Sequence, residues 1–517
     1  MRGVGHGQIE SVSMARKKFR EYNLDQQYLV PPDIRDWVGE GHFSRYISDF
    51  VSVLNLSKFE EIHKPGAGQP PYDPAMMLKI ILYCSCRGVH SSRQWEQATY
   101  NDLGVRFLAA NQHPDYSSFW KFKKRHEAAI QDLFVQVVAC AKQMGIVKLG
   151  DIALDGTLLK ANASRSRNVL GTEIDAIIAE GEALYEQMAE KWAQADAEDR
   201  AKNDDVPEKL KDAKNRLKAL KEAKAAADQR MAEHHQKALE LFEAQEQERQ
   251  AKHAEACPEQ DPEGVDLREL REHRELTQHA LANLVGIAQG RLSALESGHR
   301  APSDAERDAL ENALSSTIRF KKSSNSLRSR KPPEKQVQNF INYTDPDSAV
   351  ISRLGKTTIQ GYNAQAAVDV DSHFILGLLV SRDTTDRHNL EPMLTELERT
   401  GCESFKRMLA DSGYYSLKNL LALAERGIEA FIPPERKMKK NLAKACPSTQ
   451  AMREKMASDA GKTARKRRST SVEPVFGHIK GPMNFTRFLS RGLENVATEW
   501  SLVATAHNLL KMLKKWK

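Results

Sequence analysis

The chain has 517 residues, of which 40% are hydrophobic and 28% are charged, with 77 Lys/Arg against 70 Asp/Glu. This length predicts three or four units of roughly 100–200 residues each. No stretch reaches the roughly 18 apolar residues that span a membrane, and the N-terminus lacks the apolar core of a signal peptide. The six cysteines include one close pair, Cys84 and Cys86, inside an apolar run. That spacing suits neither a disulfide framework nor a zinc ribbon, so we expect a reducing cytoplasm.

The first region, residues 24–145, is predicted to be a helical, DNA-binding domain. Asp73 is a good helix cap before Pro74, and the run AMMLKIILYCSCRG that follows is apolar nearly all round, as in a buried helix. In PDYSSFWKFKKRHEAAI, Asp115 or a following serine can cap a helix that mixes aromatic and basic residues. Such a helix suits a nucleic-acid surface, although an ordinary amphipathic helix has the same pattern.

A strand is predicted next, in residues 150–165, GDIALDGTLLKANASR. Ile152 and Leu154 alternate with Ala153 and Asp155, which is the period of a strand. Aspartate disfavours strands, so Asp155 needs a functional or structural reason to be there.

The middle of the chain is predicted to be an insertion. Residues 170–255 are rich in Ala, Glu, Lys and Gln and predict a helical hairpin or coiled-coil arm, interrupted near Pro207. Its role, as a dimerisation arm or as a solvated spacer, stays open. A compact helical unit follows at 266–314, and residues 315–350 predict a polar linker.

From residue 359 the strand period returns. IQGYNAQAAVDVDSHFILGLLVSR predicts a hairpin with its turn at Asp371-Ser372, followed by the helix NLEPMLTELERTG and the strand FKRMLADSGYY. The helix LKNLLALAER, which Ser416 can cap and Gly427 can end, precedes the strand IEAFIPP. This alternation indicates a mixed α/β sheet.

The charge of the chain is concentrated at its C-terminal end. Residues 435–517 hold 19 Lys/Arg and 6 Asp/Glu, a net charge of +13 against +7 for the whole chain. A basic segment of this size predicts a polyanion as partner, usually DNA or RNA. The alternative is a solvated surface on which the charges happen to cluster.

Three acidic residues are distinguished by their places. Asp155 lies in the first strand, Asp411 at the exit of the strand RMLAD, and Glu473 in the predicted first turn of a short helix, where Pro474 is tolerated. They are 256 and 62 residues apart, and no spacing rule by itself selects them among 70 acids.

A resemblance does select them. The fragments IALDGTLLKANAS, MLADSGYYS and VEPVFGHIKGPMNFTRFLSRGLENVATEWSLVATAHNLLKML, in this order, resemble the signature regions of bacterial insertion-sequence DDE transposases. The segment from NLDQQYLVPPDIRDW to FWKFKKRH resembles the amino-terminal domain of that group. The resemblance implies an RNase H-like catalytic core, split between 150–165 and 355–517, whose catalytic, metal-binding carboxylates are Asp155, Asp411 and Glu473. The predicted fold class is therefore mixed α/β, with a helical N-terminal domain and an inserted arm and helical unit.

The resemblance also implies the chemistry. Two Mg²⁺ ions, with Mn²⁺ as a substitute, suit carboxylate ligands and phosphodiester transfer. The expected reaction nicks DNA at element ends and joins the freed 3′ hydroxyl to a target. The expected partners are double-stranded DNA (terminal repeats and target) and further copies of the chain, with no membrane, at the nucleoid of a bacterial cytoplasm. The alternatives are a nuclease of the same fold without strand transfer and a non-catalytic DNA-binding regulator.

Basic residues near Glu473 are candidate DNA contacts. Lys480 lies seven residues on, about two helical turns away on the same side. The related pattern has an arginine and a tyrosine where this chain has Ser469 and Lys466, so the resemblance is approximate there. The other candidate phosphate contacts are Arg467, Arg468, Arg487 and Arg491. In SRDTTDRHNLEP, three polar residues either support the site from behind or cap a helix: Asp383, Asp386 and His388.

The unit at 266–314 resembles the Cro/repressor-type helix-turn-helix, in LRELREHRELTQHALANLVGIAQGRLSALESGHRAPS. Thr277 would cap its second helix, Gly286 would make the turn, and Gln278 would face a phosphate. The recognition helix would run over 288–296, with Gln289, followed by Arg291 and Ser293, as the side chains able to donate to base edges. The unit carries 6 Arg, no Lys and 9 acids, a net charge of −3 that opposes DNA binding. Both a DNA-binding role and a role as an interaction module stay open.

Overall fold

A computed structural model describes residues 33–61, 70–198, 208–256, 265–297, 302–316, 318–319, 340–353, 357–434 and 447–516. The chain forms two compact units, one with residues 1–162 and 361–517 and the other with residues 163–360.

The first unit begins with helices, as predicted: α1 Phe43–Ser52, α2 Ser57–Glu60, α3 Pro74–Cys86, α4 Ser92–Asn101, α5 Leu103–Leu108, α6 Tyr116–Arg125 and α7 Glu127–Gln143. The Asp73 side chain accepts the N–H of Met76 and so caps α3, whose 10 buried residues confirm a core helix. Asp115 caps α6 by accepting the N–H of Ser118. Helix α6 buries Phe119 on one side and exposes Lys121, Lys124 and Arg125.

The predicted strand follows, as β1 Asp151–Lys160, and the second unit comes after it. Its elements are β2 Asn168–Leu170, α8 Ile174–Glu198, α9 Glu208–Ala256, β3 Val265–Asp266, α10 Leu267–His273, α11 Gln278–Val285, α12 Gln289–Glu296, α13 Asp304–Leu314, β4 Ile318–Arg319, β5 Phe340–Asn342 and β6 Ala349–Arg353. Helices α8 and α9 pack together as the predicted hairpin, with Lys221 paired to Glu182 at 2.5 Å. The predicted interruption near Pro207 lies outside the described residues.

The linker prediction is wrong for part of its range. Strand β5 pairs antiparallel with β2, and the buried side chain of Asn342 donates to Asn168 Oδ1 at 2.6 Å. A polar segment forms a strand here because the amide pair satisfies its buried side chains, which a sequence pattern of apolar alternation does not reveal.

The predicted helix-turn-helix is formed by α10 to α13 around a core of buried leucines. Thr277 caps α11 by accepting the N–H of Ala280, and Gly286 adopts a left-handed conformation with φ of 76° at the turn. Both predicted roles are confirmed.

The C-terminal part of the first unit contains β7 Thr357–Asp369, β8 Ile375–Ser381, α14 Leu390–Arg399, β9 Arg407–Ala410, α15 Leu417–Glu425, β10 Glu429–Phe431, α16 Pro447–Ala457, α17 Asp459–Lys480 and α18 Leu493–Trp516. The predicted hairpin, helices and strands are confirmed. Ser416 caps α15 by accepting the N–H of Asn419, and Gly427 follows the helix with φ of 68°.

The sheet of this unit places β1 at its centre. Strand β1 pairs antiparallel with β7 and parallel with β9, β9 pairs parallel with β10, and β8 pairs antiparallel with β7. Helix α18 packs against β8 and against α3 and α7. Its fully buried Trp500 donates from Nε1 to the carbonyl of Gln365 on β7 at 3.0 Å, which fixes the helix to the sheet.

Candidate active site

Two of the three predicted carboxylates lie together at the centre of the sheet. Asp155 on β1 is opposite Ala366 of β7, and the preceding Leu154 is level with Ala410, the last residue of β9. Asp411 is the next residue after β9, so the parallel pairing of β1 with β9 brings it beside Asp155. The predicted exit of the strand before Asp411 is confirmed.

Burial and mutual repulsion act on both side chains. Burial raises the pKa of Asp155, with the charge of Asp411 adding to the rise and Arg468 opposing it. Burial also raises the pKa of Asp411, and the charge of Asp386 adds to the rise. Two half-buried carboxylates that repel each other form a site of negative potential that a hard cation would neutralise. The donor chemistry of this pair therefore fits a divalent cation.

The basic residues of α17 approach the acids from one side. Arg468 Nη1 donates to Asp155 Oδ2 at 2.6 Å. The adjacent Arg467 pairs with Asp151 and also donates to Asp371 Oδ1 at 2.6 Å. Both candidate phosphate contacts are therefore engaged with carboxylates of this unit.

Glu473 lies on α17 but in a different local setting from the one expected. The helix has 22 residues, so Glu473 and Pro474 are in its interior and the predicted first turn of a short helix is wrong. Proline removes the hydrogen bond to the carbonyl four residues back, but the helix continues because Val472, Val475 and Phe476 around it are buried.

In the described residues, Glu473 forms no metal-holding group with the two aspartates. Its side chain is exposed. Across the residues that the structure describes, no group of three or more His, Cys, Asp or Glu side chains is arranged to hold a metal ion. Lys480, on the same side of α17, donates from Nζ to Thr157 Oγ1, two residues beyond Asp155 on β1. Glu473 thus lies between two basic residues that both contact β1.

Asp386 is a third acid at the site. Its Oδ1 accepts from Asn363 Nδ2 at 2.8 Å and from Gln365 Nε2 at 2.7 Å, both on β7. The sequence left open whether Asp383, Asp386 or His388 supports the site, and the structure places Asp386 there. Asn363 and Gln365 were missed. Two polar residues at alternating positions of a buried strand were the signal that could have identified them.

A pocket of about 670 Å³ adjoins Asp411. Four cations line it together with apolar side chains such as Phe431: Arg453, Lys462, Arg465 and Arg468. The Nη1 and Nη2 atoms of Arg453 are buried and have no hydrogen-bond partner in the described structure. A buried guanidinium without an acceptor is costly, and an anion entering the pocket would relieve that cost.

The other residues that were predicted to contact DNA do not line this pocket. Arg487 and Arg491 are exposed, and Arg491 Nε donates to the carbonyl of Asn162 at 3.0 Å. In the helix-turn-helix, Gln278 Nε2 donates to Glu296 Oε2 at 2.7 Å and Arg291 Nη2 to Glu306 Oε2 at 2.7 Å. Gln289 and Ser293 are exposed on α12.

Comparison with protein families gives three matches. The family described as Transposase DDE domain matches residues 315–509, and the family described as Transposase domain (DUF772) matches residues 32–125. The chain is a DDE transposase of the insertion-sequence type. A Helix-turn-helix family matches residues 267–320 of this transposase, which confirms the resemblance of that unit. No curated protein and no solved structure matches the transposase.

The family match confirms the expected fold and activity. The mixed sheet is the RNase H-like core that the DDE domain implies, and the activity is metal-dependent DNA cleavage and transposition. The transposase and helix-turn-helix domains indicate that the protein binds DNA. Asp411, Glu473 and Lys480 fall inside the DDE match, whereas Asp155 precedes it because the second unit is inserted after β1. Within the described ranges, every helix is too short or too polar to cross a membrane.

Proposed function

We propose that this transposase cuts DNA at the ends of its element and joins the freed 3′ hydroxyl to target DNA at a site formed by Asp155 and Asp411. The observation that carries the proposal is the pairing of β1 with β9, which sets these two carboxylates side by side at the sheet centre. Glu473, from α17, is the third carboxylate in the proposal. Its place between Arg468 and Lys480, which both contact β1, supports that role.

The proposed cofactor is Mg²⁺, with Mn²⁺ as a substitute. Bound at the carboxylates, it supplies positive charge for the attacking oxygen and the leaving 3′ oxygen. The protein contributes the carboxylates that attract the ion. It also contributes the basic residues that orient the phosphodiester.

The DNA strand is proposed to pass over the pocket beside Asp411. Arg453, Lys462 and Arg465 line that pocket, and each can accept a phosphate as a partner. Lys480 and the exposed Arg487 and Arg491 extend the basic surface. Arg467 and Arg468 hold carboxylates in this structure, so in the proposal they contact phosphate by exchanging those partners.

The test uses the full chain, Mg²⁺ and a supercoiled plasmid that carries the complete element. Asp411→Asn is expected to keep DNA binding, whereas its rates of cleavage and joining should fall by at least about 100-fold. A residue that only supports a metal ligand costs at most about 100-fold when it is replaced, so a larger loss indicates a direct ligand. The control is Asp459→Asn, because Asp459 is 99% exposed and lies on the same helix as Glu473. Equal cleavage by Asp411→Asn and wild type would refute the site. Nicked products without joined products would instead identify a nuclease.

A further inference from the structure

The acid Asp386 lies beside Asp411 and close to Gly156, the residue after Asp155. It begins a short 3₁₀ turn after β8, and its two carboxylate oxygens lie near Gly156 of β1 and near Gly413 in the loop after β9. A Cβ atom on Gly413 would lie 3.0 Å from Asp411 Oδ1 and 3.1 Å from Asp386 Oδ2. The two carboxylates therefore share one small volume that glycine leaves open.

Gly156, the residue after Asp155, also leaves space for the side chains around Asp386. A Cβ atom on Gly156 would lie 2.3 Å from Gln365 Nε2 and 3.0 Å from Asp386 Oδ1. The side chains of Gln365, Asn363 and Asp386 would have to shift to admit it. Gly156, directly after Asp155, and Gly413, two residues after Asp411, thus allow Asp386 and its amide partners to pack close to the site.

The amides around Asp386 have only one consistent orientation. Tyr414 donates its hydroxyl proton to Gln365 Oε1, so Gln365 Nε2 is left to donate to Asp386 and to Asn363 Oδ1, the latter at 2.9 Å. Because Asn363 Oδ1 accepts, its Nδ2 donates to Asp386. Asp386 Oδ1 therefore accepts two hydrogen bonds, which an ionised carboxylate does best.

We propose that Asp386 is a positioning residue that strengthens cation binding at Asp155 and Asp411 through its charge. In this proposal it is not itself a ligand, because the amides of β7 hold its Oδ1. The inference rests on the proposed function. Outer partners of metal ligands change metal affinity by about 10–100-fold when replaced, and we expect a loss in that range.

The experiment measures binding of Mn²⁺ to the full chain by electron paramagnetic resonance, which counts free Mn²⁺, and the Mg²⁺ concentration that half-saturates plasmid cleavage. Asp386→Asn is expected to weaken both by about 10–100-fold while cleavage at saturating Mg²⁺ approaches the wild-type rate. The control is Asp383→Asn, which removes an acid from the same loop and is expected to leave both values unchanged.

A charge exchange separates electrostatics from packing. In Asn363→Asp/Asp386→Asn the carboxylate moves to the other end of the same hydrogen bond, and Mn²⁺ binding is expected to recover to within a few-fold of wild type. If the exchanged variant binds as weakly as Asp386→Asn, or if Asp386→Asn binds like wild type, the positioning role is overturned. Asp411→Asn distinguishes the two proposals: wild-type Mn²⁺ binding by that variant overturns the metal site itself, and this inference with it.

Discussion

Replacement of Glu296 by alanine tests both the stability and the role of the helix-turn-helix. Glu296 Oε1 accepts a hydrogen bond from Arg271 Nε at 2.6 Å, and the side chains of Arg271 and Glu296 are only 10% and 4% exposed, respectively. Its other oxygen accepts from Gln278 Nε2 at 2.7 Å. Glu296→Ala therefore leaves the buried guanidinium of Arg271 without its closer carboxylate, with only Glu272 at 3.4 Å remaining, and the half-buried amide of Gln278 without this acceptor.

The expected loss is large for so small a unit. Removing one partner of a buried ion pair costs roughly 3–5 kcal/mol. The value expected here is about 3 kcal/mol, at the low end, because Arg271 also donates from Nη1 to the carbonyl of Leu276 at 2.7 Å. A unit of about 50 residues is stable by only roughly 2.5–7.5 kcal/mol at typical values per residue. Each 1.4 kcal/mol changes an equilibrium constant tenfold. The locally unfolded population of α11 and α12 should therefore rise by about 100-fold.

Amide hydrogen exchange of the full chain measures this directly. Exchange in α11 and α12 should accelerate by about 100-fold, while protection in β1 and β9 should not change. The control is Asp308→Ala, which removes an exposed acid of α13 and is expected to act by less than about 0.5 kcal/mol. The same rates in the two variants would show that the buried pair does not hold this unit together.

The variant also decides between the two roles of the unit. If the helix-turn-helix binds the element ends, Glu296→Ala should weaken binding to an end-containing duplex, and Asp308→Ala should not. Unchanged end binding would favour the interaction module. The structure offers few base-reading side chains in support of the first role, because Arg291 is paired with Glu306.

Two further predictions concern the catalytic unit. Trp500→Ala should lower its free energy of unfolding by about 3–5 kcal/mol in urea, because the ring is fully buried, whereas Trp120→Ala, at a 54% exposed ring, should change it by less than about 1 kcal/mol. Burial lowers the pKa of His507 to about 3, compared with an ordinary pKa of 6.5 for histidine. The buried neutral ring should therefore contribute stability above pH 6.5, and the protein should lose that stability as the pH falls toward 3. His507→Gln should therefore flatten the acid branch of the unfolding curve between these values, while the exposed His234→Gln should not; parallel curves for His507→Gln and wild type would contradict the assignment.

The sequence alone determined the local structure because its signals are local. A capping side chain, a left-handed glycine or an alternation of apolar residues acts within a few positions, so the start of α3, the cap of α15, the turn at Gly286 and the strands β1 and β9 were all predicted. The order of the family fragments likewise indicated which acids belong to one site. The family comparison then confirmed the transposase domains.

Only the tertiary structure decided how these parts meet. Asp155 and Asp411 are 256 residues apart, and the parallel pairing of β1 with β9 makes them neighbours. Pro474 argued for a helix start, yet buried contacts on both sides carry α17 through it. The position of Asp386 depends on amides of another strand and on two glycines that leave space. Pairing, burial and space are properties of the folded chain, because each is set by residues that are distant in sequence.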